Sequence, residues 1–323
     1  MVRGGRTVKK QAIAVNPHDR THGNSQWTYG RPSVGSKVFD AVNVLFMVFL
    51  MVITLYPFLY VLFASLSNPL KLFSHSGILL HPLGFSLKGY QFVLNYRSIW
   101  TGYLVTIFLA TVGTACTLVA SLLFAFVLSK KDSMLHSFFT FAAVFTMYFS
   151  GGMIPTYLIV NDLGLVDSLW SLILPGLIST YYVIILRTAI MGIPKEMTES
   201  AELDGANDMV ILIRILLPLI VPTIAAISLF IVVGYWNSWT NALLYIRDSK
   251  KQPLQMVLRQ ILVNNDMSAA AGSGASNRSG EDSATRMLLK YATIIVSVLP
   301  IICVYPFLQK YFTKGVMIGA LKG

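Results

Sequence analysis

A chain of 323 residues with 55% apolar side chains, 12% charged residues and a mean hydropathy of +0.65 is too apolar for a water-soluble globule, in which about a quarter of residues are charged. The excess has to lie against lipid, which excludes soluble multidomain folds. The formal charge of +11 gathers in an N-terminal tail (Arg3, Arg6, Lys9, Lys10, Arg20, Arg31, Lys37) and in polar connections, a distribution that reports membrane topology and not a nucleic-acid-binding patch.

Residues 1–41 read as a polar cytoplasmic tail. They do not follow a signal-peptide plan, because the first apolar run comes too late and is too long. That run is therefore expected to stay in the mature protein. Six apolar runs follow, at 42–66, 103–128, 136–160, 169–190, 216–238 and 288–309, each near the roughly 20 residues a helix needs to cross hydrocarbon. They predict an all-α integral membrane domain over 42–310 with six transmembrane helices.

The Tyr56-Pro57 step in the first run predicts a kink, tolerable in a membrane helix if neighbours satisfy the freed carbonyl. In the third run, FSGGMIPTYLIV carries Gly151, Gly152 and Pro155, which predict a break near 150 and a short interfacial re-entry. The last outer loop, 239–287, contains MSAAAGSGASNRSGEDS (267–283), which reads as a disordered insert. No function is assigned to the N-x-S triplet at Asn277. A C-terminal tail, 311–323, ends the chain.

With the N-terminus inside, the inner side collects the tail's basic residues, Lys130, Lys131, Arg187, Lys195, Arg214, Lys310, Lys314 and Lys322. The outer connections hold Lys71, Lys88 and Arg97, and none in 151–168. The last outer loop is basic too, but long loops cross regardless of charge, so the short ones place both termini in the cytoplasm.

None of the six runs contains Asp or Glu, the groups an ion-coupled transporter needs inside the bilayer. No G-x-x-x-x-G-K-[ST] phosphate loop occurs, nor any Gly-Lys pair. No catalytic cluster converges. The five histidines are scattered without metal-ligand spacing, and Cys116 and Cys303 read as small hydrophobes inside apolar runs. Neither a cofactor nor a metal is expected on this chain, and uphill movement would need a partner's energy.

One acidic stretch interrupts this greasy sequence. Ile193-Pro194 reads as a helix start with proline in the first helical position. Along KEMTESAELD, Glu196, Glu199 and Glu202 recur every third residue, while Met197, Ala201 and Leu203 offer apolar surface. Gly205 permits a turn. A second helix from near Asn207, apolar except for Arg214, enters the fifth span at Pro218. From residue types alone, this helix-turn-helix at 193–218 reads better as an ordinary solvated connection.

Its spacing resembles a known motif. Glu199-Ser200-Ala201, three residues, Gly205, nine residues and Ile215-Leu216-Leu217-Pro218 is similar to the cytoplasmic EAA loop of ABC importer permeases, with Ser200 in place of the first alanine. FSGGMIPTYLIVNDLGLVDSLWSLILPG (149–176), YWNSWTNALLYIRD (235–248), QPLQMVLRQIL (252–262) and YFTKGVMIGALKG (311–323) resemble the carbohydrate-uptake, maltose-permease-like branch. The resemblance covers nearly all the chain after about residue 40; the long tail and the 267–283 insert depart from it.

The resemblance implies a bacterial cell-membrane permease subunit working with a second permease, an ATPase dimer that holds ATP and Mg, and an extracellular solute-binding protein. It implies that Glu199, Ser200, Ala201, Asp204, Gly205, Ile215, Leu217 and Pro218 form the ATPase-coupling set. It also implies that the stretch near 245–266 reaches the binding protein and that the C-terminal tail approaches the ATPases.

For the sugar path only residue chemistry speaks. Tyr148, Tyr181, Tyr182, Tyr235, Trp236, Asn237 and Asn241 supply the aromatic planes and polar rims that sugars need, and interfacial anchoring explains the same aromatics. The basic outer loop (Arg247, Lys250, Lys251, Arg259, Arg278, Arg286) would attract an acidic oligosaccharide such as a uronate fragment, or would contact a binding protein. The rival readings are a self-contained secondary transporter and an ABC permease for a non-sugar solute.

Overall fold

The computed structural model of the protein describes residues 34–130, 136–270 and 280–320, with backbone alone at 264–270, 280–283 and 305–320. Most of the polar tail, Lys131, Asn277, Lys322 and the centre of the 267–283 insert lie outside the described residues. The chain divides into two units, Met1–Leu55 and Tyr56–Gly323. Helix α1 (Val34–Ser65) begins eight residues before the expected span and runs unbroken through Pro57. Pro57 removes one intrahelical donor, a loss that membrane helices tolerate where neighbouring groups satisfy the freed carbonyl. Residues 34–55 are apolar and solvent-facing almost throughout.

The second unit continues with α2 (Pro69–Phe73), whose N-terminus is capped by Asn68, and α3 (Lys88–Asn95). Helix α4 (Arg97–Phe108) passes through a π turn, Leu109–Gly113, into α5 (Thr114–Ser129), so that 97–129 make one long apolar span. Helices α6 (His136–Tyr148) and α7 (Met153–Asp162) meet at 116°. The break falls at the expected Gly-Gly pair, and Gly152 has a φ of +88°.

Two short 3-10 turns, Leu169–Leu172 and Leu174–Gly176, lead into α8 (Thr180–Met191) across a 52° bend. Helix α9 (Lys195–Leu203) follows. Then α10 (Asp208–Val210), a π segment Ile211–Leu216 and α11 (Leu217–Leu219) form one continuous stretch that bends by 83° into α12 (Val221–Trp236). Two runs read as single spans are thus broken. In the second, Pro218 and Pro222 flank Ile220 and each removes an intrahelical donor.

Helix α13 (Thr240–Tyr245), a 3-10 turn at Ser249–Lys251, α14 (Leu254–Ala270) and α15 (Gly280–Ala320) complete the chain. Residues 267–270 and 280–283, the two ends of the insert, are helical, and its centre, on which the expectation of disorder falls, lies outside the described residues. Its first part is alanine-rich, and alanine is the best helix former. Three helices, and three bent pairs taken as one each, are long and apolar enough to cross a membrane. The described residues contain no strand, and the six spans match the six apolar runs.

Lipid is as apolar as leucine, so burial of aliphatic groups supplies little drive between spans, and close packing with satisfied polar groups has to hold them. The second unit has both. A Cβ at Gly102 would lie 3.1 Å from the Leu254 backbone, and Leu254 N–H donates to the buried Thr106 hydroxyl at 2.9 Å. One core cluster, Ala125, Phe126, Leu128, Val183, Leu186, Ile211, Leu212 and Leu216 among others, joins α5 and α8 to the stretch after α9.

Candidate functional site

Helix α9 starts one residue later than expected. Pro194 has an extended ψ of 132° and is the N-cap, with its carbonyl accepting from Met197 N–H at 3.3 Å. The helix ends in a Schellman turn. Ala206 N–H donates to the Ala201 carbonyl at 2.9 Å and Gly205 N–H to the Glu202 carbonyl at 3.0 Å, with Gly205 at a φ of +79°. Asn207 then caps the next helix, its Oδ1 accepting from Val210 N–H at 2.9 Å.

Exposure divides the coupling candidates. Glu196, Glu199, Ser200, Glu202, Asp204 and Gly205 face solvent, and Leu203 is 90% exposed. Ala201 does not join Met197 and Leu203 in an outward surface. It is half-buried and packs with Ile193 and Ala206 onto the cluster of Ile211, Leu212 and Leu216. Ile215 and Leu217 are half-buried and Pro218 exposed, while Leu216 between them is the one in the core. The turn is thus built to hold an acidic, methionine- and leucine-tipped helix away from its own core.

A contact that sequence reading did not single out ties this turn to α5. Lys130, the C-cap of α5, forms an ion pair and hydrogen bond with Asp208 at the start of α10. Its Nζ also sits 5.1 Å from the centroid of the Phe126 ring. Arg187 of α8 donates from Nε to the Leu128 carbonyl at 2.8 Å, satisfying a carbonyl that the helix end leaves open. The sequence signal at Lys130 was a basic residue after a span, which served only to orient the chain.

At the other end of α5 a cleft of about 200 Å³ opens between α5, α8 and α12. Of the expected path residues, Tyr182, Tyr235 and Asn241 line it, joined by Thr117 and Ser238, with Leu172 and Ile231 as apolar wall. The Tyr235 and Thr117 hydroxyls are 3.1 Å apart. The Tyr235 ring rests on Gly113 in the π turn, where a Cβ would lie 2.7 Å from it.

The other four path residues lie elsewhere. Tyr148 and Tyr181 are 75% and 53% exposed. Trp236 is buried with Val93, Ile99 and Leu254, its ring 6.3 Å from that of Tyr103. Asn237 caps α12, its amide donating to the Val233 carbonyl at 3.0 Å. A larger hollow, about 350 Å³, is lined by Asn68, Lys88, Gln91, Phe92, Asn95 and Thr285. It sits at helix ends, and none of the expected residues faces it.

A second unexpected hub is Asp167, whose φ of +61° is unusual for a residue with a side chain. Asp is among the few that tolerate it. Its Oδ1 accepts from Arg247 and Asp248 N–H at 3.1 and 2.9 Å. Lys251 Nζ reaches both its Oδ2 (3.2 Å) and its carbonyl (2.7 Å), and Asp167 N–H donates to the Tyr245 carbonyl at 2.7 Å. The Asp248 N–H bond, then Lys251 and Arg247 N–H, hold this carboxyl below the usual carboxylate range. Asp167 therefore fixes the basic loop 246–251 to the loop after α7.

No family model matches the chain. The chain is 40% identical over 288 residues, 89% of its length, to the polygalacturonan/rhamnogalacturonan transport system permease protein YtcP of Bacillus subtilis, of which 99% is covered. It is 41% identical over 287 residues to protein LplC of the same organism, covering 89% of this chain and 96% of that one. A solved bacterial ABC transporter involved in the import of the acidic polysaccharide alginate superposes with a TM-score of 0.79 at 30% identity, covering 88% of this chain and 99% of that one.

The chain belongs to the permease subunits of carbohydrate ABC importers.

This permease is thus an integral membrane component of an ABC transport system, and the secondary-transporter reading is set aside. Its relatives are transport permeases and not enzymes, so ATP hydrolysis falls to separate subunits.

Proposed function

We propose that this permease forms half of the translocation path of an importer for acidic oligosaccharides, with both termini in the cytoplasm. Helix α9 docks on a separate ATPase dimer that holds ATP and Mg. Glu199 meets a basic residue there, where a charge-assisted pair keeps the joint through rigid-body motion. Met197 and Leu203 flank it. A second permease completes the path, and a solute-binding protein delivers the sugar against the loop that Asp167 fixes.

Within the path, the Tyr182 and Tyr235 rings offer planes for a sugar's C–H face, and Thr117, Ser238 and Asn241 offer hydroxyl and amide partners. No cation lines the cleft, so charge selection is assigned to the outer loop. The observation that carries the acidic substrate is the loop itself: Arg247 and Lys250 are exposed on a segment pinned to Asp167 by two backbone N–H groups and the Lys251 ammonium. A relative named for polygalacturonan transport and a solved importer of the acidic polysaccharide alginate favour the same chemistry.

The test is uptake into cells expressing the intact importer, with trigalacturonate and maltotriose in competition. The acidic trimer is expected to win. Preference for the neutral one would overturn the acidic reading and leave the coupling reading standing.

A further inference from the structure

A coupling turn can act on a cleft at the far side of the molecule only through something rigid between them. Three contacts mark a single element that touches both. At one end of α5, Lys130 binds Asp208, the first residue of the helix that Gly205 and Asn207 turn away from α9. Beneath that pair, Phe126 and Leu128 of α5 share a core cluster with Ile211, Leu212 and Leu216. Toward the other end, Thr117 meets the Tyr235 hydroxyl, and Gly113, just before α5, seats the Tyr235 ring.

We propose that α5 is the strut by which the α9 turn acts on the cleft, with Lys130 and Asp208 as positioning residues at its near joint. The proposal rests on the reading of α9 as the ATPase-coupling helix.

The joint has the properties a moving contact needs. Lys130 and Asp208 are 40% and 60% exposed, so the pair can part and reform without stranding a buried charge. The Phe126 ring under the ammonium keeps Lys130 aimed while it does so. The strut itself is stiff: α5 packs along α8 and α12, and Arg187 fastens its last turn to α8. Displacement of Asp208 therefore shifts α5 as a body, and with it the surface on which Tyr235 rests.

Cys116, beside Thr117, is a native reporter of that shift. It is half-buried among the residues around Tyr235, whereas Cys303 is exposed. The experiment uses the whole importer, purified through a tag on this chain carrying Cys303→Ser. Maleimide labelling of Cys116 is followed by peptide mass, with and without Mg-ATP and vanadate. No sugar is needed. Nucleotide is expected to change the labelling rate. Lys130→Glu and Asp208→Lys should each cut that change about fivefold, the equilibrium equivalent of a surface ion pair at the top of its usual worth. The combined exchange should restore it.

Lys130→Gln serves if a charge reversal prevents assembly. Full response in the single variants, with the ATPase bound and active, would overturn the strut. So would failure of the exchange to restore it, or a wild-type Cys116 blind to nucleotide. Glu199→Lys separates the two readings. If it leaves the Cys116 response intact, α9 is not the coupling helix. If it abolishes a response that Lys130→Glu retains, the strut alone fails.

Discussion

Two aspartates close opposite ends of the second unit, and they do so differently. Asp208 holds Lys130 through one exposed side-chain pair. Asp167 takes two backbone N–H groups and a lysine, donates its own N–H, and sits in a conformation few residues accept. The first contact is made of side chains that water can replace. The second orders backbone, which water cannot do. One end of the second unit is therefore fastened lightly, as the proposed coupling contact would require, and the other is fixed, as a loop proposed to meet a binding protein would require. Substitutions at the light end should disturb coupling while leaving stability nearly untouched, and those at the fixed end should disturb both.

The sharpest break of that contrast is Glu199→Lys. Glu199 is exposed, and its side chain has no ion pair among the described residues, so the melting temperature of the detergent-solubilised protein should not change. Removing one member of a desolvated charge pair at an interface costs about 2–5 kcal/mol, and reversal costs at least as much. Uptake should fall about thirtyfold or more. Normal uptake would remove the joint from α9; a large loss of stability would show that Glu199 serves the fold.

At the fixed end, Asp167→Ala removes the acceptors and puts alanine at a φ of +61°, so melting should fall by about 2–4 °C together with ATPase stimulation by the loaded binding protein. Asp167→Asn keeps an acceptor and tolerates the backbone, so it should lose less. The pH dependence follows from the same contacts. The folded carboxyl titrates below its unfolded counterpart. Its stabilising charge is therefore complete above the ordinary carboxylate pKa near about 4 and disappears as pH falls through the lower folded value. Melting of wild type and Asp167→Asn should differ steadily down to about pH 5 and converge below about pH 4. A difference that grows with acid would contradict the clamp.

Much of this arrangement was legible in the sequence wherever one stretch of chain decides it. Apolar length alone placed the six spans, and Gly151-Gly152 marked the break before α7. Gly205, set between an acidic helix and an apolar one, marked the turn. What escaped are decisions between distant stretches. Lys130 meets Asp208, and Asp167 meets 247–251, across dozens of residues, and nothing local distinguishes these aspartates from solvated ones. Tyr235 and Trp236 show the same limit on one helix. Adjacent positions point about 100° apart, so one ring lines the cleft and the other enters the core, a choice made by α5 and α14 and not by α12. Ala201 was legible as a small residue, but which surface it approaches depends on where Ile211 and Leu216 lie.

The smallest expected effect bears most directly on why the light end is light. Lys130→Gln removes an ion pair whose members are 40% and 60% exposed. Such pairs contribute about 0–1 kcal/mol and are screened by salt. Melting should fall by no more than about 2–4 °C at low ionic strength, and the difference should vanish as salt is raised toward about 1 M. A fall that salt does not relieve would mean that Lys130 works through its packing on Phe126, as a structural post. A salt-sensitive, small loss is what a joint requires.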